Sequence, residues 1–332
     1  MSMLDASAVR PPAASSSSRE ALSRVSKAIL RNRKATLGLV MFLLLLFVAL
    51  FPDVITSKPP NESVVSSSVI TQCQYDAVNA GKVPNCAQFQ PQWPAFPLGT
   101  TQLNYDVLSQ LVHATGVTLF STLLISLLVT AISVVVGVTA AYAGGKLDIG
   151  LSFLTDVFLV IPALPLLIVL STYLASGGIA AIVFVMTITS WAFGARQLRA
   201  QGLSIRTKEF LEAARVRGER RWYVIFAEIM PNMLPLIVAA FLGTSVYVVA
   251  TMAGLQFLGF GNVGDTLTWG TMIYQSQQSM AIESGNIWWL LSPIIAVAFM
   301  GTSFALLNYA FDEIANPALR KTNRRRRGTR PA

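Results

Sequence analysis

Gly116 to Tyr142 reads GVTLFSTLLISLLVTAISVVVGVTAAY, a stretch without one charged residue. About 20 apolar residues in a helix cross the ~30 Å hydrocarbon of a bilayer. The stretch is therefore expected to span a membrane, and the rest of the chain is read outward from it. Upstream, Thr36–Phe51 is a shorter apolar run behind Arg31, Arg33 and Lys34 and ahead of Pro52-Asp53. It is longer than the apolar region of a signal peptide and lacks a small-residue cleavage site, so it reads as an uncleaved first span. Downstream, Val157–Ala195 is uncharged but interrupted at Ser176-Gly177-Gly178, which suits a turn between two spans. Leu234–Leu255 and Asn286–Phe311 supply the last two. The expectation is an all-α integral membrane protein of about six transmembrane helices.

The composition agrees. Of 332 residues 53% are hydrophobic and 12% charged, half the charge of an ordinary soluble domain. The net charge of +9 does not form a stripe of the kind that binds nucleic acid; it clusters between the apolar runs. Six alternating spans place 23 of the 25 Lys and Arg residues on one side and leave only Lys58 and Lys82 opposite. By the positive-inside rule the basic side is cytoplasmic, with both termini there, as expected for a plasma or inner membrane protein. The chain then divides into a cytoplasmic tail (1–34), a first span (35–55) and an extracytoplasmic loop (56–115). A core (116–315) and a basic tail (316–332) follow. Ser15 to Ser18 and their Pro/Ala-rich surroundings predict disorder at the start. Arg324–Arg327 reads as an anchor near anionic lipid, or as a docking tail.

The two cysteines, Cys73 and Cys86, both fall in the outer loop. Thiols outside the cytoplasm tend to oxidise, and a bridge closing about 14 residues contributes about 3 kcal/mol in the chain-entropy picture. The alternative is two unpaired thiols. His113 is the one histidine, and no metal cluster is expected.

Inside the core, Asp156 is the carboxylate of a predicted span. At mid-membrane it would cost ~2.5–3.5 kcal/mol, so a position near the cytoplasmic interface is expected, as a polar contact or as a gate or inter-subunit ion pair. Pro162 and Pro165 are expected to kink the third span, lining a path or packing passively. Gly137, Ala140 and Ala141 allow close helix packing. Trp288 and Trp289 stand where interfacial aromatics are expected.

The longest basic loop, Glu209 to Pro235, reads EFLEAARVRGERRWYVIFAEIMPNMLP. Phe210, Ala213, Ala214 and Arg217 share one helical face, and Glu212 and Val216 the next. Gly218 is expected to end that helix, and a second short helix, about Arg220–Ile229, to run into Pro231. Small alanines on an exposed face suit a knob pressed into a partner's groove; the same pattern suits an amphipathic hairpin lying on the membrane.

Glu212-Ala213-Ala214, then Gly218, then Ile229-Met230-Pro231 resemble the EAA signature of permease subunits in ATP-binding-cassette importers, with Met230 where leucine is usual. Phe96–Thr100 with Asp106–Ser109, Gly254–Gly261 with Trp269–Met272, and Asn316–Arg320 resemble further segments of the oligopeptide/dipeptide permease family, as its second, C-type permease. The resemblance covers roughly residues 30–320. It implies a type I importer permease fold with an EAA coupling loop at 205–232, in which Glu212, Ala213, Ala214, Gly218 and Pro231 couple to an ATPase. It also implies a second homologous permease, two ATPase subunits that bind ATP and Mg, and an extracytoplasmic binding protein. The chain has no Gly-x-x-x-x-Gly-Lys-Ser/Thr loop and no nucleophile–base set, so no catalytic residue and no cofactor are expected on it. Peptides are the expected solutes; oligosaccharides and nickel chelates are carried by other members. The rival classes are an ion-coupled secondary transporter, which would need intramembrane ionisable relays, and a scaffold without a path.

Overall fold

The structure is a computed structural model of the chain. It describes residues 33–63, 75–76, 79–80, 96–174, 177–206, 208, 211, 214, 216–261 and 266–315. Eight helices carry the architecture: α1 (Arg33–Leu50), α2 (Val107–Ala143), α3 (Gly145–Val160), α4 (Ala163–Tyr173), α5 (Gly178–Ile205), α6 (Met230–Phe257), α7 (Trp269–Gln278) and α8 (Ile287–Ala315). Among the described residues five helices are long and apolar enough to cross a membrane, and α3 with α4 makes a sixth span if that bent pair counts as one.

The helices thread back and forth as alternation requires. Gly38 near the start of α1 packs on Ser303, Leu306 and Leu307 of α8, so the beginning of the first span and the end of the last lie together. Gly116 of α2 packs on Ala49 at the far end of α1. The end of α2 meets the end of α5 through Gly137 and Ala195. Hereafter "the basic side" is the end where Arg33, Arg206 and the end of α8 lie, and "the far side" is the other.

Helix α2 begins nine residues before the expected Gly116. Asp106 caps it, its Oδ1 accepting from the Leu108 and Ser109 amides at 2.9 and 3.4 Å. Of the polar residues in its first two turns, Ser109 and His113 have local partners, while Gln110 Oε1 is buried without one. Ser109 donates to the Lys58 carbonyl at 2.5 Å, and His113 Nδ1 lies 2.8 Å from the Ser109 carbonyl. Lys58 closes the cap with an ion pair to Asp106 at 2.7 Å and sits over the Phe96 ring. The loop is held to the far side of the bundle by Asn286, which is fully buried and donates to the Thr100 carbonyl at 2.6 Å.

The third span starts at Gly145, not Val157, and is broken instead of kinked. Helices α3 and α4 meet at 85° across Ile161-Pro162. Pro162 caps α4 with φ −61° and ψ 117°, an extended conformation that a helix cannot pass through. Its missing N–H cannot bond to the turn before it, so α3 stops there. Pro165 lies in the first turn of α4, where a missing N–H costs nothing.

Helix α5 packs most closely on α2. Gly137 leaves room for the Ala195 carbonyl, Gly194 for Ser133, and Gly202 for Ala141. Ser133 donates across the seam to the Trp191 carbonyl at 2.7 Å. Ala140 and Ala141 are buried as expected. Trp289 faces the core and Trp288 is half exposed.

Candidate functional site

The Glu209–Pro235 loop forms a body on the basic side of the bundle. Glu212, Ala213, Glu209 and Phe210 lie outside the described residues; Leu211, Ala214 and residues 216–235 are described. Leu211 and Ala214 are both 0% exposed. They belong to an apolar cluster with Val134, Val138 and Tyr142 of α2, Leu198 of α5, and Val224, Ile225, Ile229 and Met233. The expectation that Ala214 lies on an exposed face is thus corrected. Its methyl faces the ends of this chain's own spans, because the apolar tips of α2 and α5 need a cover there. Val216, 89% exposed, marks the opposite face.

Gly218 ends the short helix as expected. Its φ is +74°, and the Glu219 amide donates back to the Ala214 carbonyl at 3.2 Å, the six-to-one bond of a Schellman turn. Arg217 brackets the turn, with carboxylates of Glu219 and Glu228 each 3.7 Å away. The chain then enters a helical turn, Arg221–Tyr223, and a π-helix, Val224–Ile229, that runs without a break into α6. The expected second helix is present, in a widened form. Pro231 sits at the first positions of α6. Its ring would clash with the carbonyl four residues back in a regular helix, and the wider turn gives it room. Asn232 donates its side-chain amide to the Glu228 carbonyl at 2.6 Å. The outer face carries Trp222, Tyr223 and Phe226, all more than half exposed, with the Trp222 and Phe226 rings stacked 6.1 Å apart.

A cavity of about 770 Å³ opens beside this body, between the α3–α4 break, α5, α6 and α8. Of the three residues considered for a gate or path, Pro162 lines it and Asp156 and Pro165 do not. Asp156 is 61% exposed and stands 3.8 Å from Arg196, an exposed contact of small energetic weight. Asp148 and Asp312 are further carboxylates within the helices. Asp148 of α3 pairs with Arg199 of α5, and Asp312 of α8 lines the cavity. The sequence signal for the first is its place just after the Gly144-Gly145 break. Cys73 and Cys86 lie outside the described residues. Among the described residues no group of His, Cys, Asp and Glu could hold a metal ion.

Residues 133–321 match the family described as the binding-protein-dependent transport system inner membrane component. The chain is 27% identical over 296 residues to the dipeptide transport system permease protein of Haemophilus influenzae, covering 88% of this chain and 92% of that one. It is 26% identical to the dipeptide transport system permease protein of Bacillus subtilis, covering 93% and 90%. It is 29% identical to the nickel transport system permease protein of Escherichia coli K12, covering 67% and 79%. The matched region takes in more than half of the chain, from the second half of α2 through the loop and α6 to beyond α8. The chain belongs to the binding-protein-dependent transport system inner membrane component family, as a multi-pass permease subunit of an ATP-binding-cassette importer.

Proposed function

We propose that this chain pairs with a second, homologous permease to form the path for ATP-driven uptake of dipeptides or oligopeptides. Two separate ATPase subunits, which hold the ATP and Mg, dock on the 205–232 loop from the cytoplasm. An extracytoplasmic binding protein delivers the solute from the far side. Both termini are then cytoplasmic, as the charge distribution predicts.

One observation carries the reading. The loop is buried on one face against the ends of α2, α5 and α6 and exposed on the other. Leu211 and Ala214 key it into the spans, and the π-helix joins it to α6 without a hinge. A push on the outer face, at Val216, Trp222 and Phe226, is thereby delivered to three spans at once. Glu212, Ala213, Ala214, Gly218 and Pro231 divide the labour. Ala214 seats the loop on the bundle, Gly218 makes its turn and Pro231 sets its join to α6. Glu212 and Ala213 meet the ATPase.

The dipeptide permeases among the relatives support peptides as the solute. A second reading, a nickel chelate, rests on the nickel permease of comparable identity. The test is to purify the chain in mild detergent and identify by mass spectrometry what accompanies it. A Walker-motif ATPase and a second permease are expected. Their absence, with solute transport by the lone chain in liposomes without ATP, would overturn the reading. In the recovered complex, Glu212→Lys is expected to lower solute-stimulated ATP hydrolysis by about tenfold, the effect of losing roughly 1.4 kcal/mol of coupling. An unchanged rate would remove Glu212 from the coupling contact.

A further inference from the structure

The 770 Å³ cavity falls in the roughly 300–1,000 Å³ range of small-molecule sites. One wall is apolar, from Phe158 to Ala163 at the break and Leu236 of α6. The other is polar and is centred on Asn308 and Asp312, one turn apart on α8. Asp312 is the one carboxylate among the lining residues, and no Lys, Arg or His lines the cavity with it. Among the described residues it forms no ion pair. Ser190 Oγ and Asn308 Oδ1, on two lining residues, are buried within the wall itself and have no hydrogen-bond partner. Gly243 of α6 makes room for the Asn308 amide, since a Cβ there would come within 3.2 Å of Nδ2. The cavity thus presents one anionic group beside an apolar wall.

We infer that this cavity is a way station for the solute, in which the Asp312 carboxylate receives a primary ammonium group. The inference rests on the reading of the chain as a solute permease and narrows its solutes to those with a free amine. A lone carboxylate at the edge of a low-dielectric chamber attracts cations and repels anions. The free amino terminus of a peptide supplies such a cation. The apolar wall contributes area without selecting a charge.

The test uses the detergent-solubilised complex with its copurifying subunits and does not depend on transport. Thr244→Cys places a thiol on the cavity wall. Its labelling, above that of the parent protein, is timed with a trimethylammonium and a sulfonate methanethiosulfonate reagent. The cationic reagent is expected to react roughly tenfold faster relative to the anionic one than with a free thiol. Asp312→Asn should remove that preference and Asp312→Glu should keep it. Excess tri-alanine should slow the labelling, N-acetyl-tri-alanine should not, and Asp312→Asn should abolish the difference. Equal protection by the two peptides, or a charge preference that survives Asp312→Asn, would overturn the inference. Because the subunits that copurify are identified in the same preparation, failure of the importer reading shows separately from failure of the ammonium site.

Discussion

Arg199 forks onto Asp148, Nε to Oδ1 at 2.6 Å and Nη2 to Oδ2 at 2.7 Å, and so binds the end of α5 to the start of α3. Ser152 adds a hydrogen bond to the same carboxylate at 3.2 Å, and the Arg206 guanidinium lies against Gly144, which turns the chain from α2 into α3 with φ +62°. This corner fixes where the broken span begins, beside the apolar cluster that seats the loop.

Both partners are partly buried, and the two-pronged geometry is one that lysine cannot reproduce. Arg199→Lys is expected to destabilise the purified complex by about 1 kcal/mol. Arg199→Ala should cost about 1–2 kcal/mol, since it leaves the partly buried Asp148 carboxylate without its partner. Thermal unfolding with the Asp148→Asn single and double variants measures the coupling. A coupling energy under ~0.5 kcal/mol would mean that the pair contributes no more than an exposed ion pair.

The α2–α5 seam makes a contrasting pair of predictions for the same chemical change. A Cβ at Gly137 would strike the Ala195 carbonyl, which is backbone and cannot swing aside. Gly137→Ala should therefore cost about 1–3 kcal/mol and reduce the monodisperse fraction on size exclusion. Gly150, inside α3, faces open space. Gly150→Ala should be neutral or stabilising by up to about 1 kcal/mol through better helix propensity. Equal effects at the two positions would show that the seam is not tight at Gly137.

Gly218 is also in open space, so only its left-handed backbone resists a side chain. Gly218→Ala should cost about 1–2 kcal/mol and Gly218→Asn less. The cost should be local. Amide exchange is expected to quicken at Glu219 and neighbouring residues while the melting temperature of the bundle stays nearly unchanged. Loss of global stability would mean that the Schellman turn supports the whole apolar cluster.

Much of this was legible in the chain itself. Runs such as Gly116–Tyr142 must cross lipid, because uncharged helices of that length have no other favourable solvent. The one-sided distribution of Lys and Arg predicts which ends lie together, and Gly38 against Ser303–Leu307 places the first and last spans accordingly. Gly218 as a stop and Pro162 as an interruption follow from their own backbone chemistry. These are local properties, written residue by residue.

What the tertiary structure decided is how local features meet. An amphipathic loop does not announce which face will be covered; Ala214 is buried because the apolar ends of α2 and α5 stand over it. A proline predicts a break but not its angle, and only the folded chain shows the 85° between α3 and α4. The start of α2 is completed by Lys58, which supplies a carbonyl to Ser109, 51 residues on, and a cation to Asp106, 48 residues on. Asp148, Arg199 and Asp312 were single charges in the sequence. One pair became a clamp and the remaining carboxylate came to face a cavity, since only the folded chain sets distances between residues that sequence places far apart.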